Sequence, residues 1–322
     1  MRIIVTGGLG FIGSHFVNQM VEDSNDVIVF DNETYASDKS NLSKRAWDQI
    51  SYYKVDIANA SQLRGALSRI DKIDWIVNFA AESHVDRSIS SSEIFFRTNI
   101  NGVINILDYL VEAPTIDFLQ VSTDEVYGSI FSGSWSEDAP LLPNSPYSSS
   151  KASAELICHS YRKTFGVKVV TTRCANNFGP NQALEKLIPK VIYSINNGKP
   201  VDVYGDGLNV REWIFVKDHV ACLSSILYAQ TRMSFTYNIG GFAMTNLGLI
   251  ELIGNLLEVK PNIQFVPDRL GHDFRYSVND TLIKSEFKIA DFGNLESNLQ
   301  HTINWYLANP EWVQQSISKV IS

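Results

Sequence analysis

Short apolar runs alternate with segments of helical period through the first half of the chain. Residues 3–6, 27–30, 73–79, 118–122 and 167–172 are apolar runs too short for helices and lacking polar alternation. That is the pattern of strands buried on both faces. Between them Ile12, Phe16 and Met20 recur every fourth residue. The sets Ile100, Val103, Ile104, Leu107, Leu110, Val111 and Ala154, Ile157, Cys158, Tyr161, Phe165 also keep helical spacing. Strand–helix–strand alternation predicts an α/β architecture with a doubly wound parallel sheet. From about Asn176 the pattern changes, and Pro180, Pro189, Pro200, Pro261 and Pro267 punctuate shorter elements. The expected division is a first domain over 1–175 and a smaller mixed α/β domain over 176–322. The apolar segments 211–216 and 235–239 are expected to return to the first layer, so that 211–240 belongs with it.

Composition narrows the classes. The chain has 322 residues, 44% of them hydrophobic, and a formal net charge of −8. A chain of this length buries a core without covalent staples, and an acidic balance argues against a nucleic-acid coat. The three cysteines and six histidines are scattered, so neither a disulfide framework nor a metal site is expected. No apolar run reaches the length of a membrane span, and the first residues lack the apolar stretch of a signal peptide. A cytoplasmic protein is the expectation.

Candidate chemistry begins at the first strand–helix junction. Gly7, Gly10 and Gly13 are spaced three apart between the first strand and the first helix. Glycines there permit a tight turn and close approach of backbone N–H groups to a pyrophosphate, and the helix N-terminus adds partial positive charge. Asp31 ends the second apolar run, where a carboxylate bonds ribose hydroxyls and repels a 2′-phosphate. The pair predicts a Rossmann-type site for NAD rather than NADP. Asp56 and Ile57 follow Tyr53, Lys54 and Val55, where an acceptor for the adenine edge is expected.

Tyr147 and Lys151 lie four apart at the start of a helical segment and so share a face. A tyrosine hydroxyl is a poor base at neutral pH, and a nearby ammonium together with a cationic nicotinamide is expected to lower its pKa. Thr123, Asp124 and Glu125 end another strand, where open parallel sheets bind ligands. Two adjacent carboxylates in one dry cleft repel each other, which raises the pKa of at least one and provides an acid and a base. Neighbours on an extended strand face opposite ways, so both reach the cleft only if the chain bends there.

These residues, with those at 80–88, 173–180, 185–189, 205–213 and 268–273, make the chain resemble the extended short-chain dehydrogenases/reductases, and within them the nucleotide-sugar 4,6-dehydratases. The resemblance covers nearly the whole chain. It implies a redox-neutral elimination on dTDP-glucose, UDP-glucose or both, as in deoxysugar biosynthesis. Tyr147, helped by Lys151, removes the C4 hydroxyl proton as hydride passes to NAD⁺. Glu125 takes the C5 proton and Asp124 protonates the departing C6 hydroxyl. Thr123 bonds the C4 oxygen, and hydride then returns to C6. NAD is expected to stay bound between turnovers.

The resemblance also implies that Phe11, Ile12, Ala80, Ala81 and Asn99 join the glycines, Asp31, Asp56, Ile57, Tyr147 and Lys151 around the cofactor. Ser83, Asn177, Lys186, Leu187 and Tyr204 are placed on the nucleotide-sugar side, as are Arg211, Asn246, Arg269 and His272. The guanidinium fork suits Arg211 and Arg269 to a diphosphate. Asp202, Ala183, Leu184, Leu270 and Phe274 depart from the family pattern, all on the nucleotide side. A 4-epimerase, a glucuronate decarboxylase and a non-catalytic NAD-binding protein are the alternatives, and Asp124 discriminates against the first two. The resemblance implies that the helix beginning near Ile94 and the helix carrying Tyr147 pair with their mates in a homodimer.

Overall fold

Ile3, Ile4 and Val5 are fully buried because β1 (Arg2–Thr6), which carries them, lies inside a parallel sheet covered on both faces. In the computed structural model, which describes residues 1–321, the strands that follow are β2 (Asp26–Asp31), β3 (Ser51–Lys54), β4 (Trp75–Asn78), β5 (Asp117–Thr123) and β6 (Lys168–Cys174). Then come β7 (Asn176–Phe178), β8 (Val201–Tyr204), β9 (Val210–Phe215), β10 (Thr236–Ile239), β11 (Phe242–Thr245) and β12 (Ile263–Val266). Seven of them form the main sheet in the order β10-β6-β5-β4-β1-β2-β3. Every pairing in it is parallel, with Ile4 beside both Ile28 and Ile76.

Alternation along the strands fills two cores. Ile3, Val5, Val77 and Leu119 face one side, packed with Phe16, Val17 and Met20 of helix Phe11–Glu22 and with helix Val216–Tyr228. Ile4, Ile28, Ile76 and Phe118 face the other, packed with Ile106 and Leu107 of helix Gly102–Glu112 and with Ala154 and Cys158 of helix Pro146–Phe165. Each such large side chain contributes about 1.5–3 kcal/mol on burial. A third core gathers helices Leu187–Asn196, Asn246–Leu256 and Leu295–Ala308. Beside it lie a three-stranded sheet, β11-β9-β7, and the pair β12-β8.

Two sequence expectations are corrected. The segment expected to return at 211–216 does not enter the main sheet: β9 pairs antiparallel with β11 and parallel with β7. Its side chains alternate, with Trp213 and Phe215 in the third core and Ile214 in the first. An apolar run between two cores reads like a run within one. Gly241 sets the alignment, since a Cβ there would lie 2.5 Å from the Trp213 carbonyl oxygen. Helix Val216–Tyr228 shares the first core with the main sheet, and β10 pairs with β6 in that sheet. The second correction is at β3, an edge strand absent from the predicted runs because its residues are exposed or only partly buried.

Helix Pro146–Phe165 has well-defined ends. Ser145 caps it with a reciprocal Ser145–Ser148 box, Pro146 occupies the first turn, and Gly166 closes it at φ 72°. The helix near Ile94 is continuous with Gly102–Glu112 through a π-type turn at Arg97–Asn101.

Candidate active site

The chain bends directly after β5. Thr123 is extended at φ −141°, its hydroxyl accepts from the Glu125 N–H, and Asp124–Tyr127 form a 3₁₀ turn. Gly128 ends that turn at φ +73°, where a Cβ would lie 2.3 Å from the Leu142 carbonyl oxygen. The bend satisfies the condition for both carboxylates to enter one cleft. Asp124 is 1% exposed and Glu125 keeps partial contact with solvent.

Their surroundings differ. Burial holds the Asp124 pKa well above the usual carboxylate range, and the Glu125 and Glu212 charges push it further up against the pull of Arg211. One Asp124 oxygen accepts from the Thr123 hydroxyl at 3.2 Å, and the other is buried without a partner. Burial also raises the Glu125 pKa, but Arg211, Lys186 and Arg269 all pull it down. The cleft thus favours a neutral Asp124 and a more readily ionised Glu125.

Tyr147 packs edge-on to Phe95, with ring centres 6.5 Å apart, and its N–H donates to the Ser88 hydroxyl. Lys151 donates to the Val121 carbonyl at 2.7 Å, and burial lowers its pKa to about 8. The expected fall of the Tyr147 pKa is not found in the protein alone. Burial raises it well above 10, with Glu125, Cys174 and Asp124 adding to the rise and only a hydrogen bond with Thr123 opposing it. The Lys151 ammonium is directed at the strand backbone, and the remaining cation of the expectation is not part of the polypeptide.

At the glycine turn, Gly7 sits at φ +69° and a Cβ there would lie 2.6 Å from the Ala80 backbone nitrogen. A Cβ on Gly13 would lie 2.2 Å from the Gly7 oxygen. Gly10 caps helix Phe11–Glu22 with no side-chain hydrogen bond, so the first-turn N–H groups, from Phe11 and Ile12 onward, suit a phosphate. Asp31 braces this turn: one oxygen accepts from the Leu9 N–H at 2.9 Å, the other from the Glu33 N–H and the Ser37 hydroxyl. A dinucleotide fits this cradle.

Asp56 accepts from the Ala58 N–H and pairs with Arg97, while Ile57 is buried against Gly102. Asn99, in the π-type turn, bonds both backbone groups of Glu82 and the Ser150 hydroxyl. It thereby fixes the loop carrying Ala80, Ala81 and Ser83 against the tyrosine helix. Sequence spacing gives no sign of that turn.

On the opposite side, Lys186 donates to the Ser83 carbonyl at 2.9 Å, and Leu187 begins the next helix. Arg211 is 8% exposed, donates to the carbonyls of Val210 and Asp273 and lies over the Tyr276 ring. Arg269 pairs with Asp86 at 2.8 Å and lies over Tyr204, and His272 bonds Asp268 at 2.6 Å. The Asn246 side-chain oxygen is buried without a partner. Asn177 has both side-chain polar atoms engaged inside the protein, by Ala175, Cys174 and His219. Among the departures from the family pattern, Leu270 is 77% exposed and Phe274 stacks on exposed Phe131. Glu212, Asp86 and the buried Glu155–Arg173 pair, 2.8 Å apart, were not among the residues expected from sequence. Asp86, Arg173 and Glu212 lie in segments that carry the family resemblance, but their spacing assigns them no role.

Residues 4–287 match the family described as GDP-mannose 4,6 dehydratase. The chain belongs to that family. It is similar to dTDP-glucose 4,6-dehydratase of Streptomyces griseus, with 42% identity over 320 residues covering 97% of this chain and 95% of the relative. The low-salt glycan biosynthesis protein Agl12 of Haloferax volcanii is 42% identical over 324 residues, covering 97% and 100%. The crystal structure of DesIV, a dTDP-glucose 4,6-dehydratase from Streptomyces venezuelae solved with NAD bound, matches with a TM-score of 0.93 at 41% identity. That match covers 98% of this chain and 100% of the other.

Proposed function

We propose that this chain is an NAD-dependent dTDP-glucose 4,6-dehydratase, releasing water and the 4-keto-6-deoxyglucose nucleotide. The observation that carries the reading is the unequal setting of two adjacent carboxylates in one cleft with Tyr147: a single cation, Arg211, offsets the burial of Asp124, whereas Arg211, Lys186 and Arg269 all offset that of Glu125. The near-full-length similarity to dTDP-glucose 4,6-dehydratases supports it.

The glycine turn, Asp31, Asn99 and the loop at Ala80–Ala81 would hold the dinucleotide. The chemistry NAD supplies when bound is reversible hydride transfer, out of sugar C4 and back to C6. Tyr147 accepts the C4 hydroxyl proton, and its raised pKa means that it acts once a cationic group has joined Lys151 nearby. Thr123 donates to the C4 oxygen. The 4-ketone acidifies the C5 proton, and Glu125 takes it. Asp124 gives its proton to the C6 hydroxyl, which leaves as water with the C–O electron pair. Glu125 then returns a proton to C5. Arg269, Lys186 and Arg211 face the diphosphate, and the Asn246 oxygen is available to the base.

Residues 1–175 together with 216–239 form the dinucleotide part in this reading, and the remainder the nucleotide-sugar part. Exposed Ile94, Phe96 and Leu156, on the helices beside the tyrosine face, suit a homodimer. Three free, buried cysteines suit the reducing cytoplasm. The test is mass spectrometry after separate incubation with dTDP-glucose and UDP-glucose, without added NAD. Loss of one water, faster with dTDP-glucose, is the expected result. No water loss even with added NAD would overturn the reading.

A further inference from the structure

Three loops far apart in sequence meet in one cluster of side chains. In the main sheet β1 lies between β2 and β4, so the loops after β2 and β4 flank the turn that follows β1. The first carries Tyr35, and the second leads into the short helix Val85–Ser90 with Arg87. Their side chains meet: the Arg87 guanidinium lies 3.9 Å from the centre of the Tyr35 ring. This contact joins the two loops that flank the turn.

A third segment fastens it. Glu185 lies in the loop leading to helix Leu187–Asn196 of the third core. Its side chain is only 5% exposed. One oxygen accepts from the Tyr35 hydroxyl at 3.4 Å, and the other lies 3.7 Å from both Arg87 Nη2 and His84 Nε2. Next to it, Lys186 holds the Ser83 carbonyl. A guanidinium over an aromatic ring, with one enclosed carboxylate against both, is a mutually supporting set.

We propose that Tyr35, Arg87 and Glu185 form a roof over the dinucleotide cradle and retain the cofactor between turnovers. The inference rests on the reading that NAD occupies the glycine turn. A redox-neutral reaction regenerates NAD⁺ in every cycle, so the cofactor has no need to leave. The roof keeps it in place: release requires the ring–guanidinium contact and the Glu185 contacts to open together.

The test is NAD exchange in the purified full-length protein. Protein loaded with NAD is diluted into excess isotopically labelled NAD, and the bound fraction is followed by mass spectrometry. R87M, Y35L and E185Q are each expected to speed release by about tenfold or more. The R87M/Y35L double variant is expected to release little faster than the faster single variant, because both remove one shared contact. R87K keeps the charge, loses the planar stack and is expected to fall between; it also serves if R87M does not fold. Release rates equal to that of the unmodified protein, or effects that multiply in the double variant, would overturn the roof. If the unmodified protein takes up no NAD, the reading of the glycine turn fails and the roof with it. Normal uptake with unchanged release overturns the roof alone.

Discussion

Lys151 donates its ammonium to the Val121 carbonyl, 2.7 Å away, and so ties the helix bearing Tyr147 to the strand that ends in Thr123. One buried charge thus links the two elements that line the candidate cleft. Burial lowers its pKa from 10.5 to about 8.

That shift predicts a trade between stability and activity. A lysine whose folded-state pKa lies below its unfolded value opposes folding most strongly below the folded value. The penalty is therefore complete below about pH 8 and fades as pH rises towards 10.5. K151M removes it, and at pH 7 the variant is expected to gain about 0.5–2 kcal/mol in urea unfolding. Turnover is expected to fall by about 10²–10⁴-fold. A variant that loses stability at pH 7 would contradict the assigned penalty.

The two carboxylates are separable by isotope exchange. D124N keeps the shape of Asp124 but has no proton to give, so water loss is expected to fall by about 10²–10⁴-fold. Glu125 remains, so the C5 proton of the substrate still exchanges with deuterated water. E125Q is expected to lose both, and mass spectrometry reads both outcomes. In the proposed mechanism Asp124 acts protonated, so activity is expected to fall as pH rises through its raised pKa. The Glu212 charge helps to raise that pKa, so E212Q is expected to move the alkaline limb to lower pH. A limb that stays in place would remove Glu212 from the account.

Much of this arrangement is legible in the sequence where local pattern has local cause. Ile3–Val5 and Phe118–Leu119 read as strands because both faces of the sheet are covered. The glycine spacing and the Tyr147–Lys151 pair likewise sit within one turn or one helix face. Other features depend on contacts between distant segments. β9 reads as a main-sheet strand because alternation between two cores keeps it apolar throughout. The π-type turn holding Asn99 follows from packing against Glu82 and Ser150. Tyr147 departs from the expected direction because burial and two nearby carboxylates outweigh what the chain alone supplies.

Beneath the site, Glu155 and Arg173 form a buried ion pair at 2.8 Å, one helical turn beyond Lys151. Arg173 also donates to the Glu137 carbonyl and to Tyr127. Removing one partner leaves a buried charge uncompensated. R173M is expected to destabilise the protein by about 3–5 kcal/mol in urea unfolding. The double variant R173M/E155L should recover most of that loss, since an apolar pair of similar volume carries no desolvation cost. A double variant as unstable as R173M would mean that packing around Arg173, rather than charge, sets the penalty.

Arg269 pairs with Asp86 at 2.8 Å, although it is also the cation proposed to meet the substrate diphosphate. A guanidinium engaged by a carboxylate must leave it, or share it, to bind phosphate. D86N removes the competing charge and is expected to lower KM for dTDP-glucose while kcat stays near its original value. R269M removes the phosphate contact and is expected to raise KM by about 10- to 150-fold, as for a charge-assisted hydrogen bond worth about 1.5–3 kcal/mol. The two changes are expected to be non-additive, because Asp86 acts on binding through Arg269. Steady-state kinetics on the four proteins of that cycle decides the point. A D86N variant with raised KM would mean that Asp86 aims the guanidinium at the substrate and does not compete for it.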